Sequence, residues 1–124
     1  MTLRSITMTK ATIYHNPKCS KSRASLKILQ DHNVEIEEVR YLEQTPNKET
    51  LKQLCASMSV SPLSIIRTGE GLFKELGLSK EDIKTDDEWL DILVKHPKLI
   101  ERPIIQIGDN VVIGRPPEII LTIL

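Results

Sequence analysis

The groups best able to do chemistry in this sequence are concentrated around Cys19, in the polar segment YHNPKCSKSR over residues 14–23. A β-rich run before this segment and an amphipathic pattern after it place Cys19 in a turn between a strand and a helix. Free backbone N–H groups and the positive end of the helix dipole favour an anion there. The same field lowers the pKa of a thiol, and the thiolate is the nucleophilic form. Because its neighbours are polar, we predict that Cys19 is a reactive thiolate rather than a core residue.

The side chains that flank Cys19 are predicted to support the thiolate and its loop. Basic neighbours add positive potential, and His15 either supports the thiolate or only caps the end of the strand. We therefore take His15, with Cys19, as a candidate catalytic residue, and we assign support of the loop to Asn16, Ser22 and Arg23.

Cys19 lacks the partner that a Cys-x-x-Cys redox motif requires, because the residue three positions later is Ser22. Cys55 shares a helical face with Leu51 and Met58, so we expect it to be buried filler. Cys19 would then depend on an external thiol, unless Cys55 lies unexpectedly near. Neither cysteine has metal-ligand spacing with the histidines, and no metal site is predicted.

Three arginines stand at the ends of predicted elements, where a side chain can point into a cleft: Arg67, Arg102 and Arg115. Each one alone is typical of an ordinary surface residue. A guanidinium group is, however, a planar and permanently charged donor that suits tetrahedral oxyanions. Together with a thiolate at a helix N-terminus, the three predict an oxyanion site. The bond before Pro103 precedes a predicted strand, where a cis peptide is accessible at small cost.

The elements that must position these groups follow from periodicity and turn signals. Runs of β-branched residues predict strands at residues 11–15, 34–42, 104–107 and 111–113, the last two joined by a three-residue hairpin loop. Apolar residues at helical spacing predict helices at 20–32, from Thr45-Pro46 to 58, at 61–66, 72–76, 85–95 and 119–124. The run TDDE at 85–88 predicts a capping box at the start of the helix over 85–95. The order is β-α-β, a long helical middle, then β-β-α. It predicts an α/β fold, a thioredoxin-like sheet with a helical insertion between its halves.

A single domain is predicted for residues 11–124, with residues 1–10 as a flexible extension or with Met8 as the true start. Seventeen basic residues balance seventeen acidic ones, which argues against nucleic acid as a partner. No apolar run approaches the length of a membrane span. Two cysteines do not form a disulfide framework, so we expect a reducing cytoplasm.

The chemistry-bearing segment closely resembles the active-site loop of the glutaredoxin-coupled arsenate reductase (ArsC) family. The resemblance continues, in order and at compatible spacing, through RTGE at 67–70, FKELGL at 73–78, HP at 96–97, ERPI at 101–104 and IGRPPE at 113–118. It covers nearly the whole chain from residue 12.

This resemblance implies a thioredoxin-like fold and a monothiol reduction of arsenate to arsenite, with no bound cofactor and with glutathione as co-substrate. Cys19 would attack the arsenic while Arg67, Arg102 and Arg115 hold the oxyanion. Glutathione would attack the adduct, and glutaredoxin would reduce the resulting mixed species. His15 matches a family position associated with keeping the cysteine ionised.

Three alternative interpretations compete with an arsenate reductase. The GRPPE form of the final motif, with the chain ending soon after it, is similar to short housekeeping members of the family, which leaves another substrate open. A regulator of the Spx type, which binds RNA polymerase, would usually carry a cysteine at the position of Ser22. A phosphatase-type reductase would need an arginine six positions after Cys19, where Ser25 stands.

Overall fold

A mixed four-stranded sheet organises residues 9–124, the part of the chain that the computed structural model describes. The strands lie in the order β2-β1-β3-β4, with bounds β1 Lys10–His15, β2 Glu35–Arg40, β3 Ile104–Ile107 and β4 Asn110–Ile113. β1 pairs in parallel with β2 and antiparallel with β3, and β3 pairs antiparallel with β4. The predicted α/β order of strands and helices is confirmed.

The helices lie between the strands in the predicted places: α1 Ser20–Asp31, α2 Lys48–Met58, α3 Gly71–Glu75 and α4 Asp86–Lys95. Short 3-10 helices lie at Pro62–Ile65, between α2 and α3, at Pro97–Leu99, after α4, and at Pro117–Thr122, after β4. The predicted capping box of α4 is confirmed, because the Thr85 hydroxyl accepts from the Glu88 N–H and the Glu88 carboxylate accepts from the Thr85 N–H. No helix within residues 9–124 is long and apolar enough to cross a membrane.

The two central strands, β1 and β3, are largely buried on both faces of the sheet, since side chains along a strand alternate between them. The edge strand β2 is mostly exposed. Ala11 and Ile13 of β1 are fully buried in one cluster, which includes Leu29 of α1. Tyr14 points to the other face, into a larger cluster that contains residues of α2 and α4, such as Leu54. This arrangement fixes the carboxyl end of β1, from which the loop of Cys19 departs.

Three local predictions are wrong. α2 begins later than Thr45-Pro46, because the Asn47 side chain caps it by accepting from the Thr50 N–H at 2.8 Å. Asn110 pairs with Ile107, so the hairpin loop has two residues rather than three. The last helix is a 3-10 helix at Pro117–Thr122 rather than an α-helix at 119–124.

The N-terminal predictions fall mostly outside the described residues. Residues 1–8 hold most of the proposed extension and the alternative start at Met8. Lys10, which the prediction assigned to the extension, is already part of β1.

Candidate active site

Cys19 stands at the N-cap of α1, directly after the turn that leaves β1. Its N–H donates to the Asn16 carbonyl at 2.9 Å, and its own carbonyl accepts from the Arg23 N–H at 3.0 Å. The Asn16 side-chain oxygen accepts from the Lys18 N–H at 3.0 Å. The Asn-Pro turn and the amphipathic pattern that follows it therefore deliver the sulfur to a helix N-terminus.

The surroundings of the Cys19 thiol favour its ionised form. Burial opposes ionisation, but the backbone N–H groups of Ser22 and Lys21 and the guanidinium of Arg102 outweigh it, so the pKa of Cys19 lies below its ordinary value. Nη2 of Arg115 lies 3.8 Å from the sulfur and donates to it. An electron-rich sulfur beside two cations is the arrangement that a nucleophilic thiolate requires.

His15 lies beneath the loop and is almost entirely buried, with 3% of its surface exposed. Its Nδ1 is 2.7 Å from the Ser22 hydroxyl, which also accepts from the Asn16 N–H at 2.9 Å. On the other side of the ring, Nε2 is 3.7 Å from Oε1 of Glu38. Burial lowers the pKa of His15, although Glu38 opposes this shift. The contact between Nδ1 and the Ser22 hydroxyl connects His15 to the loop of Cys19.

Arg23 forms a hydrogen bond to the backbone of the same loop. Its Nη1 donates to the Pro17 carbonyl at 3.0 Å, which ties the first turn of α1 back to the turn before Cys19. Ser22, fully buried, and Asn16 make the internal contacts of the loop. The three residues assigned to loop support are thus hydrogen-bonded to one another or to the loop backbone.

The three arginines lie in different connecting segments and contact one carboxylate, Arg67 and Arg115 through their guanidinium groups and Arg102 through its backbone N–H. Oε1 of Glu101 accepts from Nη1 of Arg67 at 2.9 Å and lies 3.1 Å from Nε of Arg115. It also accepts from the backbone N–H of Arg102 at 3.1 Å. Nε of Arg115 donates to the Arg102 carbonyl at 2.9 Å as well. The structure therefore brings Arg102 and Arg115 to Cys19 and links Arg67 to them through Glu101.

The arginine cluster borders an open groove of about 340 Å³ lined by Ile66, Arg67, Thr68, Gly69, Glu70, Glu101 and Arg115. The peptide bonds before Pro103 and Pro116 are both cis, and for Pro103 this is the form that the sequence predicts to be accessible. Gly114 packs so tightly between α1 and the Pro103 turn that a Cβ there would lie 2.5 Å from Oγ of Ser25. This close approach sets the position of Arg115, the next residue.

The second cysteine is not part of the site. Cys55 is 4% exposed and lies in the larger apolar cluster, as predicted. Burial raises its pKa to about 11, which keeps the thiol protonated. Both cysteines are free. Within residues 9–124, no group of three or more His, Cys, Asp or Glu side chains could hold a metal ion.

The sequence analysis assigns no role to three polar residues that lie at the site. Glu101 lies in the ERPI motif, but its role follows only from its contact with Arg67, 34 positions earlier. Glu38 looks like part of a solvated strand face, yet it faces His15. Tyr41 follows β2 and is 1% exposed, and the charges of Arg102 and Arg67 act on it. Only the position of Tyr41 at the end of a strand parallel to β1 could have indicated it.

Comparison with known proteins gives one family. The model of the ArsC family matches residues 14–123. A protein named arsenate reductase from Escherichia coli is 38% identical over 117 residues, which cover 94% of this chain and 82% of that protein. An arsenate reductase from Neisseria meningitidis is 36% identical over 118 residues and is covered completely.

Two further relatives match this chain over nearly their whole length. An uncharacterized Escherichia coli protein, YfgD, is 42% identical over 118 residues, which cover 94% of this chain and 98% of the relative. A solved structure described as arsenate reductase from Vibrio cholerae superposes with a TM-score of 0.89 at 40% identity, covering 94% of this chain and 99% of that one.

Proposed function

The chain belongs to the ArsC family, and from this premise we propose that it reduces arsenate to arsenite through a covalent adduct on Cys19. The observation that carries the proposal is the convergence of two kinds of group. The low-pKa thiol of Cys19 and the guanidinium of Arg115 lie 3.8 Å apart, within the arginine cluster that Glu101 joins. A nucleophile and an oxyanion cradle in one place suit attack on an electrophilic oxyanion.

The proposed first step forms a sulfur–arsenic bond. The Cys19 thiolate attacks arsenic, and one arsenate oxygen, protonated twice, leaves as water. Arg67, Arg102 and Arg115 bind the remaining oxygens and offset the negative charge that accumulates on them. His15 and Ser22 keep the loop in the shape that holds the sulfur at the helix N-terminus, and Asn16 and Arg23 brace it.

The proposed reduction takes both electrons from thiols outside this chain. Glutathione replaces a second arsenate oxygen, which leaves as water, and gives an arsenic species that bears both sulfurs. A glutaredoxin thiolate then attacks the glutathione sulfur. The electron pair of that sulfur–arsenic bond stays on arsenic, which becomes As(III), and a mixed disulfide of glutaredoxin and glutathione departs. Water finally releases arsenite and regenerates the thiol of Cys19.

This chemistry defines the cofactors and setting that we propose. Because both electrons come from thiols, the reaction requires no bound metal or organic cofactor, and glutathione is a co-substrate. A supply of reduced thiol is found in the cytoplasm, which we propose as the location. The partners are arsenate, glutathione and glutaredoxin, with no role for nucleic acid or a membrane.

The test is arsenate-dependent oxidation of NADPH in an assay coupled through glutathione, glutaredoxin and glutathione reductase. The protein should turn over, Cys19→Ser should be inactive, and the matched variant Cys55→Ser should retain activity. Full activity in Cys19→Ser, or no arsenate-dependent rate from well-folded protein, would refute the proposal. Tight binding to RNA polymerase without thiol-dependent turnover would support the regulator instead.

A further inference from the structure

Two buried polar atoms beside the reactive loop have no hydrogen-bond partner within the described part of the chain: the hydroxyl of Tyr41 and Nε of Arg102. Tyr41 is 1% exposed, so solvent does not compensate for the missing bond. Buried polar groups are nearly always paired, because leaving one unpaired destabilises the protein. Two such groups in one place call for an acceptor that the described residues do not supply.

The fold brings Tyr41 to the reactive loop. β1 and β2 are parallel, and His15 lies opposite Arg40 in their register. The residues that directly follow the two strands, Asn16 and Tyr41, therefore lie at the same end of the sheet, where the turn toward Cys19 begins.

Arg102 is the common neighbour of Tyr41 and the reactive sulfur. Burial raises the pKa of Tyr41, and the charge of Arg102 and the nearby side chains of Arg102 and Asn16 oppose that shift, although neither side chain forms a hydrogen bond of good geometry with the hydroxyl. The same guanidinium lowers the pKa of Cys19. One side chain thus acts on both the hydroxyl and the thiol.

We infer that the Tyr41 hydroxyl is a fourth donor to the oxyanion, acting beside the three arginines. Its O–H donates to an oxygen of the tetrahedral anion bound over Cys19, and Nε of Arg102 donates to that anion as well. This role rests on the proposed function and extends it, because it adds an uncharged donor. Burial keeps the phenol protonated at neutral pH, so the hydroxyl has a hydrogen to donate.

The test compares Tyr41→Phe with the matched variant Tyr14→Phe, which removes a hydroxyl from the only other tyrosine, in β1. Arsenate is titrated against the rate at which iodoacetamide alkylates Cys19, and the thermal midpoint of each variant is measured. Tyr41→Phe should need about tenfold more arsenate for half-protection, since a hydrogen bond to a charged group is lost. Its thermal midpoint should stay the same or rise, because an unpaired buried group has gone. Alkylation of Cys19 without arsenate should be unchanged, as should arsenate protection in Tyr14→Phe.

The outcomes separate this inference from the proposed function. If arsenate fails to protect Cys19 in the unmodified protein, the proposed function itself fails. If it protects the unmodified protein and Tyr41→Phe equally, the inference alone is overturned, because the hydroxyl then does not contact the anion. A lower thermal midpoint in Tyr41→Phe would also overturn it, because the hydroxyl would then serve the structure of the free protein.

Discussion

Replacing Glu101 by Gln removes one negative charge from the arginine cluster while it preserves the shape of the side chain. The carboxylate is 2.9 Å from Nη1 of Arg67 and 3.1 Å from Nε of Arg115. Any oxyanion held by these two guanidinium groups has to share them with Glu101, and the two negative charges repel. We therefore predict that Glu101→Gln binds arsenate more tightly than the unmodified protein does.

The size of the effect follows from the geometry. Two acceptors on opposite sides of one guanidinium lie about 6 Å apart, where unit charges interact by roughly 2.8 kcal/mol at a dielectric constant of 20 and by about 0.7 kcal/mol in bulk water. The side chains of Glu101, Arg67 and Arg115 are between 22% and 34% exposed, so solvent screens the repulsion and the lower half of this range applies. About 1.4 kcal/mol corresponds to tenfold tighter binding.

The assay is the arsenate concentration that half-protects Cys19 from iodoacetamide, measured at low and at moderate salt. The matched control is Glu49→Gln, in the first turn of α2, which makes the same change in net charge at an exposed position. Glu49→Gln should leave protection unchanged, and the gain in Glu101→Gln should shrink as salt screens the repulsion. Unchanged or weaker binding in Glu101→Gln would refute the reasoning, because Glu101 would then act by holding the arginines in place.

Two other predictions concern the support of the site. Gly114→Ala should lower the free energy of unfolding, measured in urea, by about 1–3 kcal/mol, because the new Cβ would lie 2.5 Å from Oγ of Ser25. Gly71→Ala is the control, since a Cβ there has no atom within 4 Å, and it should be neutral or slightly stabilising. Equal stability of the two variants would contradict the tight packing. Burial lowers the pKa of His15, so the unfolded chain binds that proton more readily and stability falls as the pH drops below about 6.5. His15→Gln should reduce this fall between pH 7 and pH 5 and the exposed variant His32→Gln should not; the same pH slope in both would show that His15 is not the group responsible.

The parts of the fold that the sequence predicts are those with local causes. The Asn-Pro turn after a β-branched run and the apolar spacing after it place Cys19 at a helix N-terminus. Thr85 and Glu88 indicate the start of α4, because a capping box is formed within four consecutive residues. Errors occur where two local signals compete. Thr45-Pro46 has the form of a helix start, but Asn47 is the better cap and its side chain makes the bond.

The parts of the site that the sequence does not reveal depend on contacts between distant segments. Arg67 is identified by its position at an element end, but the carboxylate that connects it to Arg115 comes from a segment 34 residues later. The burial of Tyr41 depends on helices that follow it in the chain. The hairpin is a different case, because Asn110 pairs with Ile107 only three positions earlier, and the error there is a local one of loop length.

The pH dependence of Cys19 alkylation, measured with and without arsenate, tests the central claim most directly. Cys55 is an internal reference in the same sample, because burial raises its pKa to about 11 and its alkylation should stay slow. We predict that the reactivity of Cys19 rises with a midpoint below that of a free cysteine, roughly 8.5, and that arsenate suppresses it. A midpoint at or above the free value, with no protection by arsenate, would contradict both the thiolate and the arginine cradle around it.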